Sequence, residues 1–157
     1  MKLLVFSDSH GDRERMFDVT AQESPDILLH LGDGWRDAEA LQARYPEIPL
    51  YQVPGNCDFR SRTEPELLLT LQGKRILLCH GHTYGVKDSL ILAGEAGERL
   101  DLDAFLFGHT HRPLVSRRGK TLFLNPGSIG DFHPFYGILT LQGGKLDGRT
   151  AKYPRKG

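Results

Sequence analysis

The chain has 157 residues, 39% of them hydrophobic and 25% charged, the size and balance of a globular protein able to bury a real core. Lys+Arg and Asp+Glu both total 20, so net charge gives no reason to expect a nucleic-acid polymer or an anionic membrane as partner. The apolar run Leu3-Leu4-Val5-Phe6 is too short for a signal-peptide core, and no later run approaches a membrane span. Cys57 and Cys79, without a secretory signal or C-x-x-C spacing, point to a reducing cytoplasm, no structural disulfide and no thiolate zinc site.

No linker, low-complexity tract or repeat divides residues 1–157, which are expected to form one domain. Lys2–Ser7 reads as a buried strand. Asp12–Glu23 has helical spacing through Met16, Val19 and Thr20, and Ser24-Pro25 stops it. Ile27–Leu31 is a second strand. Trp35–Tyr45 is a second helix, with Trp35, Ala38, Leu41 and Ala43 on or near one face, and Leu50–Val53 is a third strand. This β-α-β-α-β order is the signature of parallel strands joined by crossover helices.

The pattern then changes. Leu67–Leu71 and Arg75–Cys79 flank Gln72-Gly73-Lys74 as a hairpin. A third helix is predicted over Lys87–Leu100 and a strand over Ala104–Phe107. Two more hairpins follow, Leu114–Ser116 with Leu122–Leu124 and Tyr136–Leu141 with Lys145–Lys152. Parallel units followed by hairpins imply two mixed sheets packed face to face and flanked by helices, an α/β fold.

Five polar clusters close or follow the apolar runs: Asp8-Ser9-His10, Gly32-Asp33, Gly55-Asn56-Cys57-Asp58, His80-Gly81-His82 and Gly108-His109-Thr110-His111. Singly, each reads as a cap, a turn or a surface loop. Jointly they place ligand-type residues at five predicted strand ends, where ligands bind in α/β sheets. Asp8, His10, Asp33, Asn56, His80, His109 and His111 are too many ligands for one ion and suit two ions sharing a carboxylate. Gly11, Gly32, Gly55, Gly81 and Gly108 adjoin them and ease close backbone approach. Carboxylate, amide and imidazole without thiolate suit Mn²⁺, Ni²⁺, Fe²⁺ or Zn²⁺. Two such ions ~3.5–4 Å apart clamp a phosphoryl group and activate water, with no Ser or Cys nucleophile required.

From Ser7-Asp8-Ser9-His10-Gly11 to Asn125-Pro126-Gly127-Ser128, the chain resembles the calcineurin-like metallophosphoesterases, and within them the small YfcE-type phosphodiesterases. The resemblance implies a four-layer αββα sandwich. It implies one ion on Asp8, His10, Asp33 and His111 and another on Asp33, Asn56, His80 and His109, with Asp33 bridging. It places Asn56 near the substrate phosphate. Many members carry a histidine that assists the leaving group where this chain has Cys57, a cysteine that the YfcE-type branch shares.

The expected activity is therefore hydrolysis of small phosphodiesters by metal-activated water, with Mn²⁺ first among the metals. Asp33, Asn56 and His82 form the candidate catalytic set, His82 because it follows a ligand by two residues. Asp58 is expected to support a ligating imidazole, and His30 to be a packed core residue. Trp35 is read as lining the substrate cleft or packing on its helix. The leaving-group pocket is expected from loops Arg60–Pro65, Tyr84–Lys87 and Gly130–Pro134. Arg117, Arg118 and Lys120 read as a solvated hairpin tip. A homodimer or homotetramer is carried over from relatives. The competing readings are a scaffold, like the retromer subunit that shares this fold, and a nuclease on short oligonucleotides or cyclic nucleotides.

Overall fold

The computed structural model describes residues 1–59 and 63–154. Its elements run β1 (Lys2–Phe6), α1 (Arg13–Glu23), β2 (Ile27–His30), α2 (Trp35–Arg44), β3 (Leu50–Gln52), β4 (Glu66–Leu71) and β5 (Lys74–Cys79). A 3₁₀ turn at His82–Tyr84 leads to α3 (Ile91–Arg99), β6 (Ala104–Leu106), β7 (Leu114–Arg118), β8 (Thr121–Asn125), β9 (Phe135–Gln142) and β10 (Lys145–Lys152).

These strands form two five-stranded sheets, ordered β10-β9-β1-β2-β3 and β4-β5-β6-β8-β7. Each sheet is mixed. β1, β2 and β3 run parallel, as do β5, β6 and β8, while the hairpins add antiparallel edges.

Alternation along the strands builds the layers. Leu3 and Val5 of β1 meet Leu29, Ile76, Leu78, Leu106 and Leu124 between the two sheets. Leu4 and Phe6 point the other way, onto Met16, Val19 and Leu41 of α1 and α2. Leu77, Phe105 and Phe123 likewise leave the inner core to pack on Ala93 and Ala96 of α3. Each such large side chain contributes about 1.5–3 kcal/mol on burial. The expected four-layer αββα sandwich is the observed architecture.

Two local expectations change. Helix α3 starts at Ile91 rather than Lys87, because Gly85 turns left-handed and its carbonyl takes the N–H groups of Asp88 and Ser89. Ala43 is exposed, and the buried face of α2 is Asp37, Ala38 and Leu41. The basic hairpin tip is solvated as expected, with Lys120 on Asp101 at 2.7 Å and Arg117 on Asp147 at 3.4 Å.

All six parallel strands end at one rim, and the polar clusters follow them there. The rim is tied across both sheets: Asp8 N–H donates to Gly32 O at 2.9 Å, Gly108 N–H to His80 O at 2.8 Å, and Ser128 Oγ to Asp8 O at 2.8 Å. Among the described residues, no helix is long and apolar enough to cross a membrane.

Candidate metal centre

Asp8 sits at the middle of the rim, completely buried. Its Oδ2 accepts from Ser7 Oγ at 2.5 Å and from His109 N–H at 3.1 Å. Its Oδ1 is buried with no hydrogen-bond donor among the described residues. That oxygen faces Nε2 of His111 at 3.2 Å and Nε2 of His10 and His80 at 3.7 Å each. A buried carboxylate oxygen without a donor is costly and calls for a cation.

Asp33 closes the other side. Its Oδ1 accepts Cys57 N–H at 2.9 Å, and its Oδ2 lies 3.3 Å from His80 Nε2 and 4.0 Å from His10 Nε2. Burial opposes ionisation of Asp33, but His80 and the Cys57 amide outweigh it and hold the carboxyl well below the usual range.

The imidazoles are oriented by groups behind them. His80 Nδ1 donates to Leu31 O at 2.9 Å, which leaves Nε2 as the nitrogen facing both carboxylates. Burial disfavours the His80 cation, yet Asp33 and Asp8 overcome this and raise its pKa. His111 Nδ1 lies 3.5 Å from Asp131 Oδ2, so its Nε2 also faces Asp8. His109 turns Nδ1 inward, 3.2 Å from His80 Nε2.

The backbone is strained where these groups sit. Asp8 (φ 54°), His10 (45°), Asp33 (58°), His109 (68°) and His111 (62°) all lie in the left-handed region. Such conformations cost about 1–2 kcal/mol each for residues with a Cβ. Their concentration on candidate ligands marks a functional site. The i, i+2 pairs therefore converge through left-handed turns and not through extended strand.

Space is tight at Gly55, where a Cβ would overlap the Asp33 carboxylate. Gly11 faces open space, and its φ of 94° is what calls for glycine.

Five of the seven predicted ligands fall into two groups, and His109 joins them against His80. Asp8, His10 and His111 form one group of converging donor atoms, and Asp8, Asp33 and His80 form a second. Asp8 belongs to both, whereas Asp33 falls in the second alone, its Oδ2 4.0 Å from His10 Nε2 of the first. Asn56 is exposed in the Gly55–Asp58 turn, its Nδ2 3.7 Å from Cys57 Sγ. His82 is exposed on the rim, its ring 5.5 Å from that of His80 and 6.1 Å from that of His109. The donor set fits hard-to-borderline divalent cations: carboxylate and imidazole, no thiolate. The Cys57 thiol is pushed up by burial and by Asp33, and Cys79 is buried against Leu106 O.

Asp58 does not support an imidazole. Its carboxylate instead accepts the N–H groups of Asp33, Gly34, Trp35 and Gly55 at 2.8–3.1 Å, capping α2, whose N-cap glycine has no side chain to do so. Asp131 takes the supporting role, on His111. Its position in the Gly130–Pro134 loop carried no sequence signal for this pairing. His30 is buried as expected. Its Nδ1 accepts Gly32 N–H at 3.1 Å, its Nε2 donates to Ser9 Oγ at 2.9 Å, and Ser9 donates to Asp37 at 2.7 Å. This chain of bonds ties two ligand loops to α2.

Two clefts flank the Gly55–Asp58 turn. One, of about 540 Å³, is lined by His10, Asp33, Trp35, Arg36, Cys57 and Phe59. The other, of about 510 Å³, is lined by Asn56, Phe59, Thr63, Pro65 and His82. Arg60, Ser61 and Arg62 of the expected Arg60–Pro65 pocket lie outside the described residues. Tyr84 is a strut: it packs on Phe105 and donates to Glu66.

This rim has counterparts in other proteins. YsnB of Bacillus subtilis, described as a probable metallophosphoesterase, is 38% identical over 133 residues, covering 82% of this chain and 75% of YsnB. The phosphodiesterase YfcE of Escherichia coli is 30% identical over 168 residues, covering 88% of this chain and 87% of YfcE. A crystal structure of a predicted phosphoesterase from Streptococcus pneumoniae superposes with a TM-score of 0.81 at 26% identity, covering 97% of this chain and 89% of that one. The family model for the calcineurin-like phosphoesterase superfamily domain matches residues 1–144. With its ligand-type residues gathered at the rim of a double-sheet sandwich, the chain belongs to the calcineurin-like phosphoesterase superfamily.

Proposed function

We propose that the protein is a dinuclear-metal phosphodiesterase acting on small phosphodiesters, with residues 1–157 working as one catalytic domain. The observation that carries this reading is Asp8 Oδ1, buried without a donor and faced by three histidine nitrogens. Asp8, His10, Asp33 and His111 would hold one divalent ion, and Asp33, Asn56, His80 and His109 would hold the other. These ions, Mn²⁺ ahead of Ni²⁺, Fe²⁺ and Zn²⁺, supply Lewis acidity toward phosphoryl oxygens and lower the pKa of water.

The chain's own residues do the rest. Asp8 and Asp33 offset the positive charge of the site. His80 is locked by Leu31 O with Nε2 inward, so little reorganisation is needed there on binding, and Asp131 faces His111 Nδ1 at 3.5 Å. Asn56 donates its amide N–H to a phosphoryl oxygen. His82, on the Asn56 side of the turn, contacts the substrate. Cys57 offers neither a cation nor a ready proton, which favours diesters with good leaving groups over alkyl monoesters. Free thiols at Cys57 and Cys79 fit a cytoplasmic setting.

The test is equilibrium dialysis for Mn²⁺ stoichiometry together with hydrolysis of bis(p-nitrophenyl) phosphate. Two bound ions and metal-dependent turnover are expected. A folded protein that binds no transition metal and leaves aryl diesters, short oligonucleotides and cyclic nucleotides intact would support the scaffold reading instead.

A further inference from the structure

Phe59 is the most exposed large apolar side chain among the described residues, at 93%. It follows Asp58 directly and holds a left-handed φ of 49°. Neither choice serves local stability: the ring gains nothing by burial, and a Cβ disfavours that backbone. Yet the turn that leads into it is fixed. Asp58 accepts the N–H groups of Gly55 and Trp35 with its two oxygens, so the turn bearing Phe59 and the first turn of α2 hang on one carboxylate.

Phe59 is also the wall common to both clefts beside the candidate metal centre. In the first cleft it stands with Trp35, and the same cleft reaches His10 and Asp33. The acidic residues there are already engaged. Asp37 accepts from Ser9, Gly11 and Arg13, and Asp58 accepts four backbone N–H groups. What the cleft offers a ligand is the aromatic surface of Phe59 and Trp35, with the Arg36 guanidinium in the same lining, beside the phosphoryl site.

We propose that Phe59, with Trp35 in the same cleft, is a stacking subsite for a planar aromatic ester group of the diester, so that aryl- or base-bearing phosphodiesters are the preferred substrate class. The proposal rests on the phosphodiesterase reading for the position of the phosphate. An exposed ring offers a π-face to any flat group, and stacking on it is tolerant of the group's identity.

The test separates the subsite from the chemistry. Phenyl p-nitrophenyl phosphate and methyl p-nitrophenyl phosphate release the same phenolate and differ only in the group that stays. The phenyl ester is expected to have a kcat/KM higher by about tenfold, through KM, since one aromatic stack is of that order. The preference should collapse in Phe59→Leu and persist in Phe59→Tyr. Leu92→Ala, an exposed apolar residue on α3, should leave it unchanged.

Diphenylphosphinate and dimethylphosphinate, which cannot be hydrolysed, give the second readout. Trp35 is the chain's only tryptophan, so its fluorescence reports occupancy of this cleft. The Mn²⁺-loaded protein should bind the diphenyl compound about tenfold more tightly, with the same dependence on Phe59. If neither ester is cleaved but that binding pattern holds, the phosphodiesterase reading fails and the subsite stands. If esters are cleaved but wild type shows no phenyl preference, or Phe59→Leu keeps it, the subsite is overturned.

Discussion

The carboxylate of Asp58 accepts the backbone N–H of Asp33 at 2.8 Å. A residue from the turn after β3 therefore holds the candidate bridging ligand after β2. The same carboxylate caps α2 and binds Gly55 N–H, so removing it strands four donors at once. Asp58→Ala should cost about 2–4 kcal/mol, a lost cap plus unmatched backbone groups, in urea denaturation of the metal-free protein. Mn²⁺ affinity should also fall by about 10–100-fold, as for other outer supports of a metal site. Wild-type stability in this variant would show that water replaces the carboxylate fully.

Asp33→Asn tests the site with little change of shape. The amide oxygen can still accept Cys57 N–H, so the fold should persist by circular dichroism. The charge facing His80 and His10 is gone, and kcat/KM toward bis(p-nitrophenyl) phosphate should drop by about 10³-fold or more, given the several kcal/mol supplied by metal ions in such reactions. Retained turnover would remove Asp33 from the ligand set.

Much of this site was legible because strand patterning and ligand chemistry coincide. Short apolar runs located β1, β2, β5 and β6, and the clusters follow each of them. The layers followed too, since Leu3 and Val5 face one way and Leu4 and Phe6 the other. What was not legible depends on tertiary placement. Nothing local marks Asp131 as the partner of His111, because the loop that carries it is brought over by β9. Asp58 is expected behind an imidazole, yet its carboxylate takes the backbone N–H groups of Asp33, Gly34, Trp35 and Gly55. The start of α3 was misplaced because Lys87–Leu90 has helical composition while the Gly85 carbonyl captures the N–H groups of Asp88 and Ser89.

Metal should stabilise the fold as well as enable turnover. Five left-handed candidate ligands and an unmatched Asp8 oxygen are costs carried by the native state. An ion bound only by that state offsets them, by about 2.7 kcal/mol at a hundredfold excess over Kd. Chelation should therefore lower Tm by several degrees, and Mn²⁺ should restore it in a concentration-dependent way. An unchanged Tm across the titration would mean that no ion binds selectively to the folded chain.

His30 should shape the acid limb of stability. Burial pushes its pKa down to about 4, against the nearby carboxylates of Asp8, Asp37 and Asp58. The unfolded chain then takes up this proton near pH 6.5, before the native state does. Stability contributed by neutral His30 is present above pH 6.5 and is lost as pH falls toward 4, by up to about 3 kcal/mol. Chelated wild type should lose stability over that window, and His30→Asn should flatten the slope there while lowering stability at pH 7. A slope unchanged in the variant would assign the acid limb to other groups.

The last prediction concerns Cys57, whose side chain lines the cleft beside His10 and Asp33. Its backbone N–H already serves Asp33, so the side chain can be changed while that bond is kept. The thiol is held protonated by burial and by the carboxylates of Asp33, Asp58 and Asp8. It therefore supplies neither positive charge nor an easily released proton. A monoester dianion with an alkoxide leaving group needs both more than an aryl diester does. Cys57→His should raise monoesterase activity relative to diesterase by up to about 10²-fold, the lower range of general-acid help. Cys57→Ala should leave hydrolysis of activated aryl diesters largely intact, with metal stoichiometry unchanged. If the alanine variant keeps its metal and loses diesterase activity, the thiol itself takes part in the reaction.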